Sequence, residues 1–239
     1  MEYADFWWKG KLASAMGLVV TEQVSYQRPA ERVEEIVIPG RPGVVTLAGS
    51  ASWENVMYAP ICMMKPGTDR EAVTAWLRGA GEVSFGSMQE WVYTARLVNQ
   101  IPYETVWQAQ GGYTQVSPVF SCHPLRRRVE GDQEVACVSG QALKNPGTVA
   151  ARPRIVLKGK GDVTLTVAGQ QIQLTGLTDG IILDCEAMEC SDLTGMLGLN
   201  GCMAGDFPAL PPGSSYISWK AGDSSSVTEV RITPRWRWL

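Results

Sequence analysis

The chain has 239 residues and a formal net charge of −3, from 21 basic and 24 acidic residues. This length fits one large domain or two ordinary ones, and a hydrophobic content of 45% is enough to build a core. The balanced charge argues against a nucleic-acid-binding domain, which would carry a basic excess. The 25 glycines and 14 prolines indicate many turns and favour a β-rich protein.

The sequence shows no targeting signal. Residues 1–5 include acidic side chains where a signal peptide has basic ones, and no long apolar core follows them. No apolar run approaches the about 18 residues that a membrane-spanning helix needs. We therefore expect synthesis as a soluble cytoplasmic protein.

The first half is predicted to form short strands at residues 6–8, 16–20, 36–38, 55–64, 82–85, 91–98, 103–108 and 112–122. The three large apolar residues at 6–8 indicate a strand that is buried on both faces or pressed onto a partner. A cluster of two prolines and two glycines, residues 39–43, predicts a turn after strand 36–38. The loop that continues to about Trp53 is rich in Gly, Ala and Ser, and such loops often project to contact another molecule.

One helix is predicted in this half. Residues 68–71, Thr-Asp-Arg-Glu, have the pattern of a capping box, in which Thr68 and Glu71 each satisfy a backbone N–H of the other. Apolar residues then recur at helical spacing before the stop signal of Gly79 and Gly81; they are Val73, Trp76, Leu77 and Ala80. We expect Trp76 to anchor the helix in the core.

The second half shows strand patterns without a helix. A turn-rich segment, residues 145–153, precedes predicted strands at 154–159, 163–167, 171–175, 181–184, 213–219 and 227–232. Short strands with a turn signal every ten residues or so predict an antiparallel β-sandwich. We divide the chain into domains 1–128 and 129–239. The run Arg126-Arg127-Arg128 at the boundary has the charge to bind phosphate or an acidic partner, but we expect a solvated linker.

Few residues in the sequence suggest catalysis. The one histidine, His123, follows Cys122, and neighbouring residues of a strand point to opposite faces, so we expect no Cys–His pair. Nucleophile-elbow, P-loop and dinucleotide motifs do not occur. The six cysteines are irregularly spaced, which predicts reduced structural thiols and no metal. Acidic residues at 184–192 lack the spacing of a calcium loop and are expected in a solvated loop. We predict no enzyme activity, cofactor or metal.

Aromatic residues near the C-terminal end allow two interpretations. Trp236 and Trp238, at positions i and i+2, would lie on one face of a strand. Exposed indoles in sandwich domains stack on sugar rings, which suggests a carbohydrate site that includes Trp219. The same indoles are equally suited to cover the core or a subunit contact, and we favour this second interpretation.

Several segments together resemble the distal tail proteins (Dit) of long, non-contractile phage tails. The resemblance spans nearly the whole chain and is most specific in residues 205–213, Gly-Asp-Phe-Pro-Ala-Leu-Pro-Pro-Gly. Residues 130–141 match the family little, and Pro42 departs from its usual turn. Further matches occur at residues 36–43, Trp76-Leu77, Gly81, Phe85, residues 120–124, residues 145–148, Pro153, Leu183-Asp184, Asn200, Ile217, Trp219 and residues 234–236.

The resemblance implies a mainly β protein with an N-terminal tail-tube-like β domain and a C-terminal galectin-like β-sandwich. It implies a structural role in the virion tail: six copies form a ring that joins the tail tube protein to the tail tip or baseplate hub protein, with DNA passing through. The alternative is a carbohydrate-binding module used in host adsorption. We expect the subunit contacts to involve the first domain, at Trp7, Trp8, Pro39, Gly40, Arg41, Gly43 and Trp53.

Overall fold

The computed structural model describes residues 5–47, 52–108 and 111–239. This described part is mainly β, as predicted; its strands pair antiparallel, and its α-helix is Arg70–Trp76. The chain divides into two compact units, one built largely from residues before Glu130 and the other from Glu130–Trp238. No helix among these residues is long and apolar enough to cross a membrane.

The first unit has two main sheets and a separate hairpin. Its strands are β1 (Phe6–Trp8), β2 (Lys11–Leu12), β3 (Leu18–Glu22), β4 (Glu34–Val37), β5 (Val44–Leu47), β6 (Val56–Tyr58), β7 (Ile61–Met64), β8 (Ala80–Phe85), β9 (Trp91–Leu97), β10 (Tyr103–Gln108), β11 (Gly111–Val116), β12 (Phe120–Cys122) and β13 (Arg127–Arg128). One sheet has the strand order β2-β1-β8-β9-β12-β6, with β13 beside β9. The second sheet has the order β10-β11-β7-β3, and the hairpin pairs β4 with β5. Both main sheets contribute side chains to one apolar core.

Aromatic rings fill much of this core. The ring centroid of Phe120 lies 5.6 Å from that of Phe6 and 5.9 Å from that of Phe85, both in edge-to-face geometry. Each such pair contributes about 0.5–1.5 kcal/mol beyond the burial of its area. Trp76 stacks on Phe6 with centroids 5.7 Å apart and is buried, which confirms its predicted role as the anchor of the helix.

The helix begins at a different cap from the one predicted. Asp69 is the N-cap: its Oδ1 accepts hydrogen bonds from the backbone N–H groups of Glu71 at 2.9 Å and Ala72 at 3.2 Å. Thr68 instead donates its hydroxyl to the carbonyl oxygen of Gly17, 3.1 Å away. Both residue types are good N-caps, so a tertiary contact decides between them. The helix ends at Trp76, and Ala80, predicted as helical, is the first residue of β8.

Proline residues divide two of the predicted strands. The segment 55–64 forms β6 and β7, and the segment 112–122 contributes to β11 and β12; in both cases the two strands belong to different sheets. Pro60 and Pro118 lie at the breaks, where their missing N–H groups cannot join a ladder. Nearer the start, part of the predicted strand 16–20 is a 3₁₀ turn, Ser14–Met16, that precedes β3.

The second unit is an antiparallel sandwich, as predicted. Its strands are β14 (Val135–Cys137), β15 (Gln141–Asn145), β16 (Arg154–Val167), β17 (Gln170–Leu177), β18 (Gly180–Asp184), β19 (Glu189–Ser191), β20 (Met203–Ala204), β21 (Gly213–Ala221) and β22 (Ser226–Thr233). One sheet has the order β14-β22-β16-β18-β19, and the other has the order β15-β21-β16-β17-β20. Side chains of both sheets form one apolar core between them.

Strand β16 belongs to both sheets of the sandwich. Residues 154–158 pair with β18 and β22, whereas residues 163–167 pair with β17 and β21. The strand changes sheets at Gly159 and Gly161, next to register shifts. A Cβ at Gly159 would lie 2.3 Å from the carbonyl oxygen of Ser226, and Gly161 has φ +81°. The sequence predicted two strands here, because paired glycines normally indicate a turn; in the structure they form the corner of one strand.

Candidate interaction surfaces

The two tryptophans of β1 point in opposite directions. Trp8 has no exposed surface, and its indole N–H donates to the carbonyl oxygen of Trp76 at 3.1 Å. Trp7 lies on the other face of the strand and is half-buried. The side chain of Trp8 is therefore buried inside its own unit. We had predicted it as a subunit-contact residue, and the structure corrects this. Trp7 remains a candidate.

Trp7 lines an apolar groove on the outer face of the first sheet. Leu12 and Ser84 are its cross-strand partners on either side, and Val92 faces Arg127 on the next pair of strands. The pairing of Val83 with Tyr93 brings Ser84 and Val92 into register. These residues form a row across β2, β1, β8, β9 and β13. The groove has a volume of about 470 Å³ and is also lined by Glu82, Gln89 and Val129.

The groove combines apolar walls with one unused polar group. Ser84 is 3% exposed, and its hydroxyl oxygen has no hydrogen-bond partner within the described part of the chain. Glu82 and Arg127 form an ion pair on the rim, with 2.6 Å between Oε1 and Nη2. A buried hydroxyl without a partner costs about 1–3 kcal/mol.

The first part of the predicted loop between residues 39 and 53 forms the turn and second strand of a hairpin. Strands β4 and β5 pair from Val37↔Val44 to Glu34↔Leu47, with a turn between them. We call residues 34–47 the arm. Four of the predicted contact residues, Pro39, Gly40, Arg41 and Gly43, lie in its turn and are exposed. The part of the predicted loop at 48–51 lies outside the described residues.

The arm exposes apolar side chains on both of its faces. Val37 is 73% exposed, Val44 is 49% exposed, and Ile36 and Ile38 are each 41% exposed. At its base, Trp53 forms an isolated bridge with Glu31, and the Arg32 N–H donates to the Ser52 carbonyl oxygen at 2.8 Å. Trp53 is half-buried there and therefore belongs to the base of the arm.

The second sheet of this unit ends in two strands that have one neighbour each within the described residues. Strand β3 pairs with β7, and strand β10 pairs with β11. Trp107 of β10 is 78% exposed, and its ring packs on Gly112 across the hairpin. Open strand edges carry unpaired backbone N–H and C=O groups, so both are suited to pair with another chain.

The arginine run is part of the fold and does not form the solvated linker that we expected. The guanidinium carbon of Arg126 lies 4.3 Å from the ring centroid of Tyr26 and 4.2 Å from that of Trp91. Arg127 and Arg128 form β13 against β9. Cation–π contacts of this kind favour Arg, whose planar group stacks on aromatic faces. The run fixes the last strand of the first unit.

The C-terminal tryptophans do not share the face of a strand. Strand β22 ends at Thr233, and Arg235 takes φ +57°, which turns the chain before Trp236. Trp236 is half-buried and packs against the sandwich core, as does Trp219. The carbohydrate interpretation required Trp236 and Trp238 to share an exposed face of one strand. The structure does not have this arrangement. The core-covering interpretation is confirmed for Trp219 and Trp236.

Ion pairs hold the segment after β22 in place. Arg235 binds Asp184 through two hydrogen bonds of 2.7 and 2.8 Å, and Arg237 binds Asp132 through bonds of 2.8 and 3.0 Å. The guanidinium of Arg235 is the main cause that lowers the pKa of Asp184 to about 2. Asp184 therefore does not belong to the solvated loop in which we expected it. Residues 184–192 contain no cluster of metal-ligating side chains in the described structure.

The thiols and the histidine are placed as structural residues. Cys122 is fully buried, while His123 is exposed and its Nδ1 accepts a hydrogen bond from the Leu125 N–H at 3.1 Å. The two side chains therefore point apart, as predicted. All six cysteines are free thiols, and five are buried. Burial raises the pKa of the Cys62, Cys122 and Cys185 thiols to about 12, which keeps them protonated and unreactive.

These features define a class of protein: a two-unit, mainly β protein whose prominent surfaces are suited to contacts with other chains. Those surfaces are the arm, the two open strand edges and the apolar groove. Each presents apolar side chains or unpaired backbone groups. Surfaces of this kind mark sites of protein–protein interaction.

The fold has a counterpart among solved structures. It matches the crystal structure of the SPP1 Dit (gp 19.1) protein with a TM-score of 0.72 and 14% identity, over 95% of this chain and 96% of that one. The phage P2 baseplate in its activated conformation with Ca aligns with a TM-score of 0.45 and 7% identity, again over 95% and 96% of the two chains. No protein-family model and no curated protein matches the sequence. The chain thus has the fold of a phage Dit protein.

Proposed function

We propose that this protein is a structural distal tail protein of a phage or prophage. The observation that carries the proposal is the shared fold with SPP1 Dit, which extends over both units and nearly the full length of both chains. That protein is described as a paradigm of the hub adsorption apparatus in Gram-positive infecting phages. The family resemblance of residues 205–213 supports the same role.

The proposed assembly is a ring of six copies. Strands β3 and β10 are at opposite ends of one sheet, so the β10 edge of one copy can pair with the β3 edge of the next. Such a head-to-tail contact closes into a ring when a whole number of the rotations that relate neighbouring copies adds up to 360°. The exposed arm and Trp7 supply further contact surface. The number six comes from the family resemblance, and the open edges support a closed ring.

The ring would join the tail tube protein on one side to the tail tip or baseplate hub protein on the other. DNA would pass through its opening as cargo. The virion tail is the proposed location, with assembly in the cytoplasm of the bacterial host. The second unit buries its apolar faces in its own sandwich core, so we assign ring formation to the first unit.

Size-exclusion chromatography with light scattering tests the proposal on the full-length protein. We expect a particle with the mass of six chains, and negative-stain electron microscopy should show a ring with a central opening. A protein that remains monomeric at every concentration and also fails to add to purified tail tubes would contradict the proposed role. Glycan-array binding without any assembly would support the carbohydrate-binding alternative.

A further inference from the structure

The two sheets of the second unit present outer faces of different chemistry. On the sheet β14-β22-β16-β18-β19, oppositely charged side chains form a network: Lys158 contacts Glu229 at 2.7 Å, and Arg231 contacts both Glu229 and Glu134. Interspersed charges of both signs are ordinary for a protein surface in water. The outer face of the other sheet forms no ion pair within the described residues, so it differs from an ordinary solvated face.

This second outer face consists mainly of hydroxyl and amide side chains in register. Two rows cross strands β21, β16 and β17, and we call their six residues the polar face: Ser218, Thr166 and Gln171 in one row, and Lys220, Thr164 and Gln173 in the other. The alternate residues of the same strands, such as Leu165 and Ile172, are buried in the core. Residues that share a face lie about 6.6 Å apart along a strand and about 4.8 Å apart across strands, so the polar face is a regular array of hydrogen-bonding groups.

The polar groups of this face are not used by the fold. Gln171 and Gln173 are exposed, and none of the hydroxyl or amide groups of the polar face makes a hydrogen bond within the described part of the chain. Lys220 is its only charged residue. The next carboxylate along β16, that of Asp162, lies at the corner of the strand and accepts a hydrogen bond from the Gly176 N–H at 2.9 Å. The polar face therefore offers free donors and acceptors with little charge.

Tyr216 borders the polar face with an exposed aromatic ring. It precedes Ser218 by two residues on β21, so the two side chains share a face, and Tyr216 is 65% exposed. Its cross-strand partner is Ala142, and on the other side the Ala168 N–H donates to its carbonyl oxygen at 2.9 Å. Because both neighbours are alanines, the ring extends beyond them. Tyrosine supplies rigid contact area with a polar tip at a low entropy cost.

We propose that the polar face and Tyr216 bind an uncharged polysaccharide. The sugar hydroxyl groups exchange hydrogen bonds with the threonine, serine and glutamine side chains, and one sugar ring stacks on Tyr216. An uncharged ligand fits because an anionic polymer or a nucleic acid needs several cations, and this face has one. A protein partner fits less well, because the core of a protein interface is rich in large apolar side chains. The inference goes beyond the proposed function and holds with or without a ring.

Affinity electrophoresis of the full-length protein tests the inference. Native gels contain increasing concentrations of dextran, galactan or mannan, and a parallel set contains the anionic polymer polygalacturonate. We expect at least one of the three neutral polymers to retard the protein. Tyr216→Ala and Gln173→Ala should each raise the dissociation constant by about fivefold or more, since each removes one contact of about 1 kcal/mol. Both residues are exposed, so both variants should keep the wild-type unfolding temperature.

Arg231→Ala is the matched control on the opposite face of the same unit. It removes exposed ion pairs, which contribute little to stability, and it should leave retardation unchanged. No retardation by any of the three neutral polymers would overturn the inference, as would retardation by polygalacturonate alone. Equal retardation of the wild type and both polar-face variants would also overturn it.

Light scattering of the same samples reports assembly separately, so the two proposals can fail independently. Rings that bind no neutral polymer would leave the proposed function intact and overturn this inference. A protein that binds a neutral polymer through Tyr216 and Gln173 but never assembles would support this inference and count against the ring.

Discussion

Trp8 and Trp76 exchange hydrogen bonds between their side chains and backbones. The indole N–H of Trp8 donates to the carbonyl oxygen of Trp76 at 3.1 Å, and the indole N–H of Trp76 donates to the carbonyl oxygen of Trp8 at 3.0 Å. Both rings are buried. The pair fixes the end of the helix to β1 and satisfies the four polar groups that this contact removes from water.

Replacing Trp8 by Phe should therefore destabilise the first unit. The substitution removes one of the two donors to the Trp76 carbonyl oxygen, which keeps the hydrogen bond from the Arg78 N–H at 3.0 Å. The lost hydrogen bond costs about 0.5–1.5 kcal/mol, and the lost ring volume adds to this. Urea unfolding followed by circular dichroism measures the change. Trp107→Phe, at a residue that is 78% exposed, should change the free energy of unfolding by less than about 0.5 kcal/mol. Equal effects of the two substitutions would show that the reciprocal contact contributes nothing.

The Asp184–Arg235 ion pair predicts a pH dependence of the second unit. The pKa of Asp184 falls from 3.8 to about 2 because the Arg235 guanidinium and the backbone N–H groups of Ala187 and Glu186 bind its ionised form. A lowered folded-state pKa means that the stabilisation is complete above about pH 4 and is lost as the pH falls towards 2. Asp184→Asn should remove this part of the acid dependence and lower the free energy of unfolding near neutral pH by about 2 kcal/mol.

Thermal unfolding between pH 2 and pH 7 measures both effects. Glu134→Gln is a suitable control in the same unit, because Glu134 and its partner Arg231 are 39% and 45% exposed and water screens the pair. We expect a much smaller change from that substitution. An Asp184→Asn variant with the acid profile of the wild type would refute the assignment of the pKa shift to this ion pair.

Gly161 should tolerate no side chain, because β16 turns there from one sheet to the other. Its φ is +81°, and a Cβ would lie 2.3 Å from the hydroxyl oxygen of Ser225. Gly161→Ala should cost about 1–3 kcal/mol through backbone strain, with an additional clash. Gly201→Ala is the control, since no atom lies within 4 Å of a Cβ placed there. Differential scanning calorimetry compares the two variants, and a Gly161→Ala protein as stable as the control would exclude strain at the corner.

The cysteines should differ in their reactivity with thiol reagents. Under denaturing conditions we expect six titratable thiols and no stoichiometric zinc. In the native protein Cys202, which is half-buried, should react first. Cys62, Cys122 and Cys185 should react only on unfolding, because they are buried and their pKa values are raised to about 12. Peptide mapping after brief labelling identifies the modified residue. Rapid labelling of Cys122 in folded protein would be incompatible with this structure.

The two units should differ in their ability to assemble. We expect residues 1–129 to form hexamers on their own, because that fragment contains the arm, the groove and both open edges. Residues 130–239 should form a folded monomer, since their apolar faces meet in one core. Light scattering and circular dichroism on both fragments provide the comparison. If the first fragment is folded but monomeric, or if the second fragment is hexameric, then ring formation does not belong to the first unit.

The sequence predicted the mainly β fold and the presence of one helix because both depend on local patterns. Alternation in residues 171–175 and 227–232 corresponds to β17 and β22, and the spacing of Val73 and Trp76 corresponds to the helix. Details that depend on distant contacts were not predictable. Thr68 and Asp69 are equally good caps by residue type, and the carbonyl oxygen of Gly17 decides which one is free to cap.

The candidate surfaces show the same difference between features that depend on local sequence and features that depend on distant contacts. The turn at residues 39–43 was predictable because two prolines and two glycines fall within five consecutive residues. The groove was not predictable, since its row of side chains comes from five strands that are far apart in the chain. Trp7 and Trp8 are identical in residue type, and only the register of β1 determines which one is buried. The apolar run at residues 6–8 predicted a strand that is buried on both faces or pressed onto a partner; in the structure Phe6 and Trp8 are buried and Trp7 is half-buried in a groove.

Strand β16 makes the sandwich of the second unit one cooperative element. Its first part is central to one sheet and its last part is central to the other, so neither sheet can separate without breaking the ladder of the same strand. Amide hydrogens on both sheets should consequently exchange through a single opening event. A pulling force applied to either sheet would be shared by the two.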